Sequence, residues 1–281
     1  MLALPRKADA IHGAAGTHHG DKAATLDSRG RSRALLTMAL VVATLLLFLC
    51  SLVVGSRTIP LPDLFSALLH GGEADIENIV WDLRIPRTFV AYFAGAAIAV
   101  SGVIAQSWTR NPLADPGFIG ITAGASFLVA LGTTLGIATS TGMRTALALL
   151  GAGLATALVL GVSRRFQDPL TLVLVGAGVA AALSSSAMLF GLYSTDVLDS
   201  MRRWTIGSTF GRGPEDVAIA GVGLLIGFII AARVARPLDL LAMGEESSVA
   251  LGGSPALARR GAALSIVVLA GCATAATGPI A

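Results

Sequence analysis

Long stretches without a charged side chain constrain this 281-residue chain more than any other feature. Each of them approaches or exceeds the ~20 residues that a helix needs to cross a bilayer core about 30 Å thick. These apolar runs cover about residues 34–54, 88–108, 117–138, 145–163, 170–193, 217–232 and 261–280. Charged residues make up 13% of the chain, whereas a soluble domain carries roughly 25%. The sequence therefore predicts an all-α fold, a polytopic transmembrane helical bundle over residues 34–281.

The polar segment 1–33 and the distribution of basic residues predict how the bundle lies in the membrane. Residues 1–33 are expected to form a disordered cytoplasmic tail. If the N-terminus is cytoplasmic, the inner segments hold thirteen Lys and Arg residues and the outer segments hold seven. The positive-inside rule favours this orientation. We expect a multi-pass protein of the cell membrane, surrounded by lipid, with a cytoplasmic N-terminus.

The residues that ATP hydrolysis or ion coupling requires are missing from the sequence. The two lysines, Lys7 and Lys22, both lie in the tail, so no glycine-rich phosphate loop ending in Lys-Ser or Lys-Thr is present. The apolar runs contain no Asp, Glu, Lys, Arg or His, which disfavours an ion-coupled secondary transporter. Cys50 and Cys272 are interpreted as packing residues. We expect no enzyme activity, no cofactor or metal bound by this chain, and no nucleic-acid partner.

Two arginines mark the entrance of the second apolar run. Arg84 and Arg87 flank Pro86, and with a cytoplasmic N-terminus they lie exposed at the outer mouth of this span. Such arginines either anchor a span to lipid headgroups or receive the carboxylates of a docking protein and so orient it. The outer loop before them, residues 55–87, is expected to hold a short helix around residues 62–69. The pattern leaves both roles of the arginines open.

A turn containing two prolines follows the same run on the inner side. Asn111 and Asp115 are suited to capping the helix that follows. Pro112 and Pro116 restrict the backbone of the turn. We interpret these four residues as structural.

The longest inner loop, residues 233–260, contains a segment of mixed character at residues 240–252. Its apolar residues surround Gly244, Glu245 and Glu246, and it is too short and too polar to span a bilayer. The segment is predicted to form a short amphipathic helix on the cytoplasmic side. Its periodicity fits equally a helix docked on a partner protein and a helix lying against lipid headgroups.

Several ordered motifs give the chain a resemblance to FecCD-type permeases, the membrane subunits of ABC importers for iron–siderophores, haem and vitamin B12. The arginines and the turn match the family's R-x-P-R and N-P-L-A-[DE]-P elements. A W-x-x-G-S element begins at Trp204, and a G-P-I element occupies residues 278–280. Residues 240–252 resemble the family's ATPase coupling loop. The resemblance extends over roughly residues 35–280.

This resemblance implies a bundle of the vitamin B12 permease type that passes an iron–siderophore, haem or cobalamin, with an iron–siderophore as the preferred cargo. An extracytoplasmic substrate-binding protein would dock at Arg84 and Arg87, and a separate cytoplasmic ATP-binding subunit would use the ATP. A second permease subunit, identical or related, would complete the pathway. The residues that resemble the ATPase coupling loop are Leu241, Gly244, Glu245, Glu246, Leu251 and Gly252.

Members of that family continue past the position of Ala281, so the resemblance implies about seven of roughly ten expected spans. It therefore implies a permease domain that is incomplete at its C-terminus. Two alternatives stand beside the importer. One is a secondary transporter or facilitator that acts alone, and the other is a non-functional truncated fragment.

Overall fold

The computed structural model describes residues 14–55, 57–163, 169–192, 198 and 206–279, and every regular element within them is helical. The α-helices are α1 (Ala14–Val53), α2 (Leu61–Leu68), α3 (Ala74–Asn78), α4 (Ile85–Thr109), α5 (Ile121–Thr134), α6 (Thr141–Ser163), α7 (Pro169–Phe190), α8 (Pro214–Ala242), α9 (Glu245–Ala250) and α10 (Pro255–Thr277). A π-helix, Ile79–Arg84, leads into α4, and a 3-10 helix, Pro116–Ile119, precedes α5. The predicted all-α fold is confirmed.

Six helices in the described part of the chain are long and apolar enough to cross a membrane. They are Ser32–Val53, Ala74–Thr109, Thr141–Val162, Val173–Phe190, Pro214–Ala242 and Pro255–Thr277. The seventh predicted run, residues 117–138, forms the shorter helix α5 instead. Gly120 and Gly136, with φ of 73° and 69°, interrupt this run on both sides of α5. The 14 residues of α5 reach only about 21 Å, less than the thickness of a bilayer core.

The chain divides into two compact units, Met1–Leu61 and Pro62–Ala281. In the first unit, α1 begins at Ala14, so residues 14–33 are helical rather than the disordered tail that the sequence predicts. A helix nucleated in the apolar residues extends into preceding polar residues at low cost, because propagation adds one hydrogen bond per residue. Residues 1–13 of the predicted tail lie outside the described residues.

The core of the second unit is built on α8 and α10, which run antiparallel and both pack against α4. Small residues let the two backbones approach: a side chain at Gly227 would collide with Leu269, and one at Gly261 with Val234. Where they meet, the buried hydroxyl of Ser265 donates a hydrogen bond to the carbonyl oxygen of Gly227 at 2.9 Å. Close contact of small residues is the usual way in which membrane helices associate.

A second close approach joins α5 to α6. Gly124 and Gly151 face each other, and a Cβ on either would overlap the carbonyl group of the other. The two helices therefore touch backbone to backbone at this point. Cys272 packs against Gly223 in the core of the second unit, whereas Cys50 is exposed in the first, and both thiols are free.

Two loops predicted from the sequence are partly helical in the structure. The predicted inner loop 233–260 is helical at both ends, because α8 continues to Ala242 and α10 begins at Pro255. Leu238, Leu241 and Ala258 are buried, so core packing sustains both helices beyond the uncharged runs, even through Pro237. In the predicted outer loop 55–87, the short helix expected around residues 62–69 is present as α2.

Candidate functional site

The charged motifs lie at opposite ends of the second unit. Val90, Ala220 and Ala276 form one buried cluster, which brings together the start of α4, the start of α8 and the end of α10. We call this the arginine end, because Arg84 and Arg87 belong to it. Since α4 has 25 residues and is about 37 Å long, the turn after Thr109 lies at the other end. We call that the elbow end, after the bend between α8 and α10 at residues 244–253, which is described below.

At the arginine end, Arg84 is buried and Arg87 is partly exposed. The π-helix runs directly into α4, so Val80, Arg84 and Thr88 lie on one helix face, and all three are at most 3% exposed. The hydroxyl of Thr88 donates to the carbonyl oxygen of Arg84 at 2.7 Å. The prediction that both arginines are exposed is wrong for Arg84, because its position on this face turns it towards the bundle.

The segment before the arginines is held in place by α2. The indole nitrogen of Trp81 donates to the carbonyl oxygen of Ala67 at 3.0 Å. His70 stacks on the Trp81 ring with 4.9 Å between ring centroids. The backbone N–H of Gly72 donates to the carboxylate of Glu77 at 3.2 Å. These contacts order the surface next to Arg87.

The G-S part of the W-x-x-G-S element meets the residues before the G-P-I element at this same end. The backbone N–H of Ser208 donates to the carbonyl oxygen of Thr277 at 2.7 Å. The guanidinium of Arg212 donates to the carbonyl oxygen of Ser208 at 3.0 Å and lies 3.8 Å from the carboxylate of Asp216. Asp216 in turn accepts from the backbone N–H of Gly213 at 3.0 Å. Trp204 and Ile280 lie outside the described residues.

Sequence reasoning missed Arg212 and Asp216 as parts of this network. Asp216 is 6% exposed and lies in the first turn of α8. The signal was present in the sequence, since Gly213-Pro214 followed by Asp216 is a helix start, and Arg212 stands four residues before the carboxylate.

At the elbow end, the predicted turn is built by side-chain hydrogen bonds to the backbone. Arg110 has a left-handed φ of 52° and ends α4. The Asn111 side chain accepts from the N–H of Leu113 at 2.9 Å. The Asp115 carboxylate accepts from the N–H of Gly117 at 2.6 Å and caps the 3-10 helix. Asn and Asp commonly form such local bonds, which set the direction of a chain reversal.

The predicted amphipathic helix is present as α9, a helix of six residues between two glycines. Gly244 has a φ of 112° and Gly252 a φ of 79°, values that L-residues with a side chain rarely adopt. Ser248 is buried in the centre of the segment, and its carbonyl oxygen accepts from the N–H of Gly253 at 2.7 Å. We call residues 244–253 the elbow, because the chain bends sharply here between α8 and α10.

The elbow has an inner side and an exposed side. Glu245 forms an ion pair with Arg259 of α10, so one of the two adjacent glutamates is held within the chain. Glu246 is exposed. Met243, Val249 and Leu251 are 58–61% exposed and place apolar surface beside it. Leu241, which the family resemblance assigns to the coupling loop, is 2% exposed and belongs to the core packing of α8.

The two ends of the second unit present exposed charged and apolar side chains. Among the described residues, no group of three or more His, Cys, Asp or Glu side chains could hold a metal ion. The six apolar helices of spanning length in the described part of the chain define a polytopic helical membrane protein. Residues 43–281 match the model of the FecCD transport family, and the chain belongs to this family.

Relatives and a solved structure agree with this assignment. The chain is 34% identical to the ferric enterobactin transport system permease protein FepD of Escherichia coli, over 88% of this chain and 73% of FepD. It is 33% identical to the Fe(3+) dicitrate transport system permease protein FecD of the same organism, over 86% of this chain and 77% of FecD.

The solved structure is an inward-facing conformation of a metal-chelate type ABC transporter. It matches with a TM-score of 0.76 and 26% identity, over 88% of this chain and 77% of that chain.

Proposed function

We propose that this chain is the permease subunit of an ABC importer that carries an iron chelate across the cell membrane. An iron–siderophore is the cargo class that its relatives favour, since they are named for ferric enterobactin, ferric dicitrate and iron(3+)-hydroxamate import. The bundle supplies the path, and energy comes from a separate ATP-binding subunit that uses the ATP. A second permease subunit, identical or related, completes the path.

The elbow is the observation that carries the proposal. The six-residue helix α9 stands between two glycines with positive φ and is an ordered element with a defined surface. Its exposed residues Glu246, Val249 and Leu251 combine one charge with apolar area, which is the composition of a surface that docks on a protein. We assign this surface to the ATP-binding subunit.

The arginine end is assigned to the extracytoplasmic substrate-binding protein. Arg87 is partly exposed and lies on a segment ordered by Trp81 and α2, so it presents a fixed positive charge. A fixed charge of this kind orients a partner that carries carboxylates and increases the rate of encounter. Arg84 is buried behind it and supports the surface rather than contacting the partner in this conformation.

This assignment of the two ends requires the N-terminus to be cytoplasmic, as the positive-inside rule favours. The turn at residues 111–116 and the elbow are then inside, and the arginine end is outside. A change of nucleotide state in the ATP-binding subunit would press on α9, and rigid-body rocking of α8 and α10 would open the path to alternate sides.

The proposal is tested by isolating the chain from its native membranes and asking what comes with it. We expect an ATP-binding subunit to copurify, and we expect uptake of radiolabelled ferric siderophore to require both proteins. Uptake is measured in a strain that lacks the gene for this chain and carries it on a plasmid. Uptake that continues at the same rate after removal of every copurifying ATPase would overturn the importer and favour a facilitator that acts alone.

A further inference from the structure

The elbow carries two adjacent glutamates, and the start of α10 carries two adjacent arginines. One member of each pair takes part in an ion pair, and the other forms none within the described part of the chain. Glu245 forms an ion pair with Arg259, with both side chains a little under half exposed. Glu246 and Arg260 are exposed, and no ion pair joins them among the described residues. The sequence alone shows no difference between the two members of either pair.

We propose that Arg259 is a positioning residue that holds α9 in its orientation through Glu245, so that Glu246, Val249 and Leu251 face the ATP-binding subunit. Glu245 and Glu246 then have separate roles, the first within the chain and the second towards the partner. This inference rests on the proposed function only for the identity of that partner. The orientation of α9 itself is a property of this chain.

Backbone hydrogen bonds flank α9, from the N–H of Gly244 to the carbonyl oxygen of Leu241 and from the N–H of Gly253 to that of Ser248. Gly244 and Gly252 join it to its neighbours, and glycine permits a wide range of backbone angles. Ser248 is buried at the centre of the segment. The Glu245–Arg259 ion pair adds a second side-chain contact, at the first residue of α9.

Arg259 supplies the second contact from a fixed position. It lies in the second turn of α10, next to Ala258 and close to Ala262, which are both fully buried. The Ser254 side chain caps the same helix by accepting from the N–H of Leu257 at 3.4 Å. The guanidinium therefore extends from a helix that is anchored in the core, and the carboxylate of Glu245 aligns α9 against it. A charge-assisted contact of this kind is directional as well as attractive.

Hydrogen–deuterium exchange of the purified protein in detergent tests the positioning role. We expect Arg259→Glu to place two carboxylates together and to speed exchange of the amides of residues 245–251 by about fivefold, within the range that exposed ion pairs contribute. The matched control is Arg260→Glu, which makes the same change of charge one residue away and is expected to leave that exchange unchanged. The double variant Glu245→Arg with Arg259→Glu restores the pair and is expected to restore slow exchange.

Three outcomes of the exchange experiment would contradict the positioning role of Arg259. If Arg259→Glu and Arg260→Glu speed exchange equally, or if the double variant stays as fast as the single variant, the pair does not hold α9 and the inference is wrong. If Arg259→Glu speeds exchange throughout α8 and α10 as well, the ion pair stabilises the bundle in general and does not position α9, and the inference is wrong.

The amount of ATP-binding subunit that copurifies gives a second readout. We expect it to fall in Arg259→Glu and to recover in the double variant, while Glu246→Arg lowers it without changing amide exchange in α9. An absence of any ATP-binding subunit with the unaltered chain would contradict the proposed function and leave the exchange result for α9 standing. The two failures are therefore distinguishable.

Discussion

At the arginine end, hydrogen bonds join several separate segments, whereas the elbow joins α8 to α10 through one short helix between two glycines. Ser208, Arg212 and Asp216 tie the start of α8 to the end of α10, and Trp81 ties the start of α4 to α2. The elbow has one ion pair, one buried serine and local backbone hydrogen bonds such as that from the N–H of Gly253 to the carbonyl oxygen of Ser248. The comparison shows a surface joined to several segments at one end and a surface carried by one short helix at the other.

The surface at the arginine end and the surface of the elbow suit different partners. A protein that delivers cargo must dock in one register, because a preorganised surface costs less to bind. A subunit that drives a conformational change must instead bind an element that can change position. Short elements with few buried contacts have the lowest local stability. The following predictions test this contrast, beginning with the largest expected effect.

Val249→Asp is expected to give the largest effect, since it adds a carboxylate to the apolar surface of the elbow. Burying that charge against the ATP-binding subunit is costly, and we expect copurification and siderophore uptake to fall by at least about tenfold. Immunoblots of the purified complex and uptake assays measure the two quantities. Leu69→Asp, which adds the same charge at another exposed apolar position, near the arginine end, is the control. Equal losses in both variants would contradict the assignment of the elbow.

Gly244→Ala is expected to give the next largest effect, because its φ of 112° strains any residue with a Cβ. Such strain costs about 1–3 kcal/mol, and we expect α9 to shift and uptake to fall by about fivefold. Gly153→Ala is the matched control, since a Cβ there meets open space in an ordinary helix. We expect that control to keep its uptake, measured per amount of protein in the membrane. Normal uptake by Gly244→Ala would mean that the elbow does not need its bend.

Arg87→Glu is expected to weaken docking of the substrate-binding protein by about threefold at low salt, and less at high salt, because exposed charges are screened. Surface plasmon resonance on the reconstituted complex, repeated over a salt series, measures this change. Arg144→Glu is the control, since Arg144 is also exposed and lies in a predicted outer segment. A loss that is independent of salt would indicate damage to the fold instead of loss of a guiding charge.

Arg212→Gln is expected to give the smallest effect on transport and a measurable effect on stability. Removing the guanidinium breaks one bond to Ser208 and leaves Asp216 without its ion pair, at a cost of about 1 kcal/mol. We expect a modestly lower midpoint of thermal unfolding in detergent. If less ATP-binding subunit copurified while the midpoint stayed unchanged, Arg212 would affect the elbow from the arginine end. The two ends would then not act separately, as the comparison assumes.

The sequence predicted the membrane class and most of the helices because the relevant signal is local. A run of about twenty residues without charge is costly to expose to water whatever its neighbours are, so each run predicts a span by itself. Other local signals predicted the capped turn at residues 111–116, from its Asn, Asp and Pro residues, and the sequence also predicted the short helix that is present as α2. It failed for residues 117–138, where glycines with positive φ shorten the helix without changing its composition.

The roles of individual residues within the motifs required the tertiary structure. Arg84 and Arg87 are indistinguishable by type, and so are Glu245 and Glu246, yet burial and one ion pair separate the members of each pair. The sequence by itself determined a helical membrane protein with its charges at the ends of the spans, because hydropathy acts residue by residue. Only the packing of α4, α8 and α10 decided which charged groups face the bundle and which face a partner, because that depends on which helix face each neighbour covers.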